Sequence, residues 1–163
     1  MEIEHPFHLH PGEIFVTSNQ RPIVTLLGSC VAVCLWDPVH KIAGMNHVVL
    51  PKNRDDEELT SRFANVATFV MFDMMKEEGA KKANLQTYVF GGASRLANQG
   101  AGSHLAVGKM NLEITLKVLQ KLNLTVKHQD VGGEMGRRLH FNTETGKIDL
   151  KILRRFDFEH EPI

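Results

Sequence analysis

Two residue types able to attack a carbonyl and to move protons stand close together in the chain. Cys30 follows Leu27-Gly28-Ser29, and His47 lies 17 positions later in the apolar run Ile42–Leu50. A thiol and an imidazole in contact can carry out acyl chemistry, the imidazole taking the thiol proton and returning it to a leaving group. Cys30 sits where one strand must end and another begin. A glycine there lets the backbone bend, and a nucleophile on a bend can offer both its thiol and its own N–H to a developing oxyanion. The competing reading is structural: cysteine is among the most buried residue types, and a histidine on a buried strand can be a satisfied core group. Local sequence leaves both readings open for Cys30 and His47. Cys34, inside Val31–Trp36, reads as a packed core thiol.

The other candidates carry less. His5, His8, His10, His40, His104, His128, His140 and His160 have no comparable setting. The chain has no C-x-x-C and no H-E-x-x-H, and only His8-x-His10 could place two imidazoles on one strand face, so neither a metal nor a cofactor is expected. Gly91-Gly92-Ala93-Ser94 lacks the lysine and spacing of a phosphate loop. It reads either as a tight turn or as a wall of backbone amides beside the site, with Ser29, Gly91 and Gly92 as candidate substrate-binding residues. A serine hydrolase would need G-x-S-x-G, which Leu27-Gly28-Ser29-Cys30-Val31 does not supply.

The elements that must position these residues follow from hydrophobic period. Ile14–Val16 and Ile23–Leu27 read as short strands, and Val31–Trp36 with Ile42–Leu50 as a hairpin buried on both faces. A two-residue loop at Pro38-Val39 or a four-residue loop over Pro38–Lys41 would bring Cys30 and His47 to one face; Pro38 suits a type I turn and favours the longer loop. Residues 52–58 form a charged, solvated loop. From Thr60, a possible cap, Phe63, Val66, Ala67, Val70 and Met74 fall at helical spacing up to Gly79, and Phe69, Met71, Phe72 and Met75 widen the stripe. Leu85–Phe90 is a strand followed by a glycine-rich stretch to Gly102 and a helix from about Lys109 to Leu122, an α/β signature. Leu124–His128 is a short strand running into Asp130-Val131-Gly132-Gly133. A final hairpin joins Arg138–Asn142 to Lys147–Leu153, with Ile148, Leu150 and Ile152 inward.

At 163 residues the chain suits a single α/β domain over residues 1–163, large enough to bury roughly 70% of its unfolded surface. Its 19 Lys and Arg balance 19 Asp and Glu, which argues against a polyanionic partner such as nucleic acid. No apolar stretch approaches a membrane span, and the N-terminus MEIEHPFHLHPGEIF has no signal-peptide pattern, so a cytoplasmic protein with reduced thiols is expected.

In order along the chain stand TLLGSCVAVCLWDPVHKIAGMNHVVLP, FGGAS, GKMN, DVGG and NTETGK. With these segments the sequence resembles CheD, the chemoreceptor glutamine deamidase family of chemotaxis, over roughly residues 12–152. The resemblance implies that Cys30 is the nucleophile, His47 the base, and Thr25 the residue that orients the histidine. It also implies a three-layer α/β sandwich similar to the catalytic domain of cytotoxic necrotizing factor toxins. Methyl-accepting chemoreceptors would be the substrate, and a CheC-type phosphatase the regulatory partner. On this expectation His47 keeps Cys30 ionised, the thiolate attacks a glutamine carboxamide, ammonia leaves, and water releases glutamate from a thioester. Two alternatives stay open: glutamyl methylesterase activity by the same acyl-enzyme logic, and a non-catalytic binding module acting on a CheC-type phosphatase.

Overall fold

The computed structural model describes residues 5–94 and 107–154. Nine strands and two helices are formed there: β1 (Phe7–His8), β2 (Ile14–Thr17), β3 (Ile23–Leu27), β4 (Val31–Asp37), β5 (Ile42–Asn46), α1 (Ala64–Glu78), β6 (Gln86–Gly91), α2 (Val107–Lys121), β7 (Val126–Val131), β8 (Gly136–Phe141) and β9 (Ile148–Leu153). One sheet has the order β1-β3-β8-β9 and the other β2-β5-β4-β6-β7. Most pairings are antiparallel; β1 with β3 and β6 with β7 are parallel.

Alternation along β4 defines the layers, because successive side chains of a strand point to opposite faces. Val31, Val33 and Leu35 join Ala67, Met71 and Met75 of α1 and Leu119 of α2 in one core. Ala32, Cys34 and Trp36 join Ile23, Leu27, Leu139 and Phe141 of the other sheet in a second. Helices, five-stranded sheet and four-stranded sheet are therefore stacked in that order, the expected three-layer α/β arrangement. Every residue of β3, β4 and β5 is buried, as the continuous apolar runs require.

The hairpin closes with Asp37 paired to Ile42, which is the four-residue loop over Pro38–Lys41. Asp37 holds it by accepting from the Val39 and His40 N–H groups, and it also accepts from Lys81 N–H on the far side of α1.

Several expectations are corrected. Helix α1 starts at Ala64, with Phe63 at the N-cap position and no side-chain cap, so Thr60 does not cap it; Gly79 does end it, at φ 114°. Its buried face is Ala64, Ala67, Thr68, Met71, Phe72 and Met75, and Val70 is exposed. Gly44 explains that rotation: a Cβ there would crowd the sulfurs of Met71 and Met75, so the methionine face beds onto β5. Strand β7 runs through Asp130-Val131, further than the sequence suggested. In β9, Ile152 is exposed and Leu153 buried, although the pairing with β8 continues in register through both. The glycine-rich stretch from residue 95 to Gly102 lies outside the described residues, as do His104 and His160. No helix among the described residues is long and apolar enough to cross a membrane.

Candidate active site

Cys30 lies where the chain passes from one sheet to the other. Strand β3 ends at Leu27 in the four-stranded sheet, and β4 begins at Val31 in the five-stranded sheet. Ile23 and Leu27 face the space between the sheets and so does Thr25, two positions from each; on β4 the even-numbered residues face it. Thr25 and Cys30 are an odd number of positions apart, and the break at Gly28-Ser29 resets the alternation. Cys30 therefore packs against the same inter-sheet core. Beyond the hairpin the register continues through the Val31–Val48 bridge, which sets Cys30 opposite Val49 and His47 opposite Ala32. Cys30 and His47 are thus diagonal neighbours on one face.

Gly28 was expected to permit the bend. Its φ is not positive, and an added Cβ would meet nothing within 4 Å. The glycine that the crossover needs is Gly91, at φ 102°, where a Cβ would run into the Cys30 carbonyl.

His47 is almost fully buried, at 2% exposure. Its Nδ1 lies 2.8 Å from Thr25 Oγ1, and Thr25 Oγ1 lies 2.8 Å from the Leu9 carbonyl. A carbonyl can only accept, so the single hydroxyl proton of Thr25 goes to Leu9 and the Thr25 oxygen accepts from His47 Nδ1–H. That fixes the neutral tautomer and leaves Nε2 with its lone pair for proton transfer. The backbone of His47 is held by the N-terminal segment as well: His47 N–H donates to Glu13 O, and Gly12 N–H donates to His47 O.

The backbone around Cys30 is held almost completely. Ala93 N–H donates to Gly28 O, Asn111 Nδ2–H to Ser29 O, Gly92 N–H to Cys30 O, and Val31 N–H to Val48 O. The N–H of Cys30 has no partner among the described residues. The glycine segment was expected to offer amides to substrate. Instead the Gly92 and Ala93 amides are committed to bracing the crossover, and Gly91 serves by close approach. Ser29 is exposed beside Cys30.

Burial pushes the Cys30 thiol up to about 11. Burial is also the main reason His47 is pulled down to about 4; the charge of His10 acts in the same direction and Glu13 opposes it. No hydrogen bond joins the Cys30 sulfur to His47. The resting pair at neutral pH is therefore an uncharged thiol and an uncharged imidazole, not the standing thiolate expected from the sequence. Cys34 is wholly buried in the inter-sheet core, and burial raises its thiol further than that of Cys30.

Four contributors escaped the sequence reading. Leu9 acts through a carbonyl, which no side-chain pattern can signal. Glu13 and Gly12 likewise act through their backbone. Asn111 had a signal: Asn111 and Thr115 are polar residues four apart on the buried face of α2, and a buried amide must find partners.

The family described as CheD chemotactic sensory transduction matches residues 49–152, a match that begins two residues past His47. The "Probable chemoreceptor glutamine deamidase CheD 1" of Anaeromyxobacter dehalogenans is 41% identical over 90% of this chain and 84% of its own length. The "Chemoreceptor glutamine deamidase CheD" of Thermotoga maritima is 37% identical over 84% of this chain and 85% of its own. Among solved structures, the crystal structure of the Bacillus licheniformis hypothetical protein YfiH is similar over 74% of this chain and 49% of that one, with a TM-score of 0.46 and 12% identity. From the family match and the two whole-chain relatives it follows that this chain belongs to the CheD family.

Proposed function

We propose that this protein is a chemoreceptor glutamine deamidase in which Cys30 is the nucleophile, His47 the base and Thr25 the residue that orients it. The observation that carries the reading is the buried relay from Leu9 O through Thr25 to His47 Nδ1, set on the same inter-sheet face as Cys30. A histidine serving only as a core group would need just its polar atoms satisfied. Here one nitrogen is fixed as a donor, and the other keeps a lone pair, with Cys30 its diagonal neighbour on the same face.

The reaction then runs from a neutral ground state. Cys30 Sγ attacks the side-chain carbonyl carbon of a glutamine as its proton moves to His47 Nε2. The carbonyl π electrons go to oxygen, and the unpartnered Cys30 N–H donates a hydrogen bond to that oxyanion. The imidazolium returns the proton to the leaving nitrogen, and ammonia departs as the thioester forms. Water attacks the thioester with His47 again taking a proton, which it returns to the departing thiolate. The sum is glutamine plus water giving glutamate plus ammonia. Raising both charged forms in energy by burial means that the dyad pays for charge separation only during attack, when the oxyanion is also being stabilised.

The same reading has the protein act in the cytoplasm, with a CheC-type phosphatase as regulatory partner; both come from the family resemblance. Mass spectrometry of a receptor fragment after incubation tests the chemistry. Deamidation adds about 1 mass unit at a glutamine, whereas methylesterase activity removes about 14 at a methylated glutamate, both through one kind of acyl-enzyme. The expected result is the first change, lost in Cys30→Ala. No change with wild-type protein, or full activity in Cys30→Ala, sinks the proposal; binding of a CheC-type phosphatase without turnover would favour the module.

A further inference from the structure

We infer that Asn111 is a positioning residue that sets the direction of the Cys30 N–H and so builds the oxyanion site. This rests on Cys30 being the nucleophile, as proposed above. Asn111 lies in the first turns of α2 and is wholly buried. From its one amide nitrogen it donates to Ser29 O at 3.0 Å and to Val49 O at 3.1 Å. Those carbonyls belong to the crossover that carries Cys30 and to the segment that follows His47. One side chain therefore ties the nucleophile's segment to the base's segment.

The bond to Ser29 O has the more specific consequence. The Ser29 carbonyl and the Cys30 N–H belong to the same peptide unit, and among the described residues no peptide is cis. In a planar trans peptide the C=O and N–H point in opposite directions. Drawing the carbonyl toward α2 therefore turns the Cys30 N–H away from the helix, and this is the one backbone group of the crossover's Cys30 that has no partner. Donation to the carbonyl also polarises the peptide and makes its N–H a stronger donor.

Packing alone does not explain the residue. Asn111 Oδ1 is buried without a partner, a cost that an apolar side chain of similar volume would not carry. The helix is pressed close to make the reach. A Cβ on Gly108 would run into the Ala93 carbonyl, and Ala93 N–H in turn braces Gly28 O.

The test compares two reactions of the same thiol. Acylation by a glutamine substrate develops an oxyanion; alkylation by iodoacetamide does not. Asn111→Ala is expected to lower kcat on a receptor fragment about 30-fold with KM within about twofold, a part of the roughly 100- to 1,000-fold loss seen when an oxyanion donor is removed outright. The rate of Cys30 alkylation should stay within about twofold of wild type, because the thiol itself is undisturbed. Thr115→Val, one turn along α2 at another buried residue whose hydroxyl has no partner, should leave both rates unchanged. If the alanine variant does not fold, Asn111→Ser, which keeps one donor, is read in the same two assays and should show a smaller loss of kcat with alkylation preserved. Unchanged kcat overturns the inference, as does a loss of alkylation in step with kcat or a rise in KM alone. Full activity in Asn111→Ala together with an inert Cys30→Ala would sink Asn111's role alone, whereas an active Cys30→Ala would sink the reading beneath it.

Discussion

Burial gives His47 an unusual working range. An imidazole held at about 4 is neutral, and competent to accept a proton, down to pH values where an ordinary histidine is already charged. The acid limb of kcat/KM should therefore fall near pH 4 to 5, well below the ~6.5 of a free imidazole. A pH–rate profile with its acid limb at 6.5 would show that the base is exposed in the working enzyme, or is a different residue. The same shift links to stability with a definite sign. Between about pH 6.5 and about pH 4 the unfolded chain protonates this histidine and the folded chain does not, so stability is lost as pH falls through that window, on the order of 3 kcal/mol. His47→Asn should flatten this part of the Tm profile relative to wild type, while abolishing turnover. Cys30 and His47 stood out as candidates because that chemistry is carried by side-chain type, and Cys34 was legible as core because it stands within an apolar run. Their charge state was not legible. It depends on how much of the molecule closes over them, which one segment of sequence does not contain.

Among the elements, the crossover between β3 and β4 separates glycines that matter from those that do not. Gly28→Ala should change Tm by little, since its φ is not positive and its Cβ would enter open space. Gly91→Ala combines a φ of 102° with a Cβ directed into the Cys30 carbonyl, so it should destabilise by about 2–3 kcal/mol and lower turnover as well. Equal effects of the two substitutions would refute the close-approach role assigned to Gly91. Neutral variants over residues 52–58, an exposed charged segment, should leave turnover of a short glutamine peptide unchanged; a large loss would make that loop part of the site. The long buried strands were readable because continuous apolar runs and Asp37-Pro38 have only a few physical solutions. The two-residue β1 was not, because a pair of residues has no period to detect, and its pairing with β3 is set by tertiary structure. The rotation of α1 was misread for a related reason. A helix apolar on most of its circumference does not declare which side is buried, and Gly44 on the neighbouring strand makes that choice.

At the scale of the whole molecule, the proposed site lies on a seam that no single layer could provide. Thr25 comes from the four-stranded sheet, His47 follows the last residue of β5, and Cys30 lies on the strand break between the sheets. The two cores are tied through β4, whose odd-numbered residues face the helices and whose even-numbered residues face the other sheet. Opening either core strips one side of the same central strand, so neither sheet can be expected to unfold alone. We therefore predict one cooperative transition in denaturant, with circular dichroism and tryptophan fluorescence from Trp36 superimposing. Cys34 supplies an independent probe. It has no exposure and sits between the sheets, so its alkylation requires the seam to open. In native buffer an iodoacetamide pulse should modify the partly exposed Cys30 and spare Cys34, and modification of Cys34 should rise only with the fraction unfolded. Two resolved transitions, or labelling of Cys34 at denaturant concentrations where circular dichroism is still native, would mean that the sheets separate before the chain unfolds. The relay that holds His47 would then be broken in a state that still looks folded, and activity would be lost ahead of secondary structure.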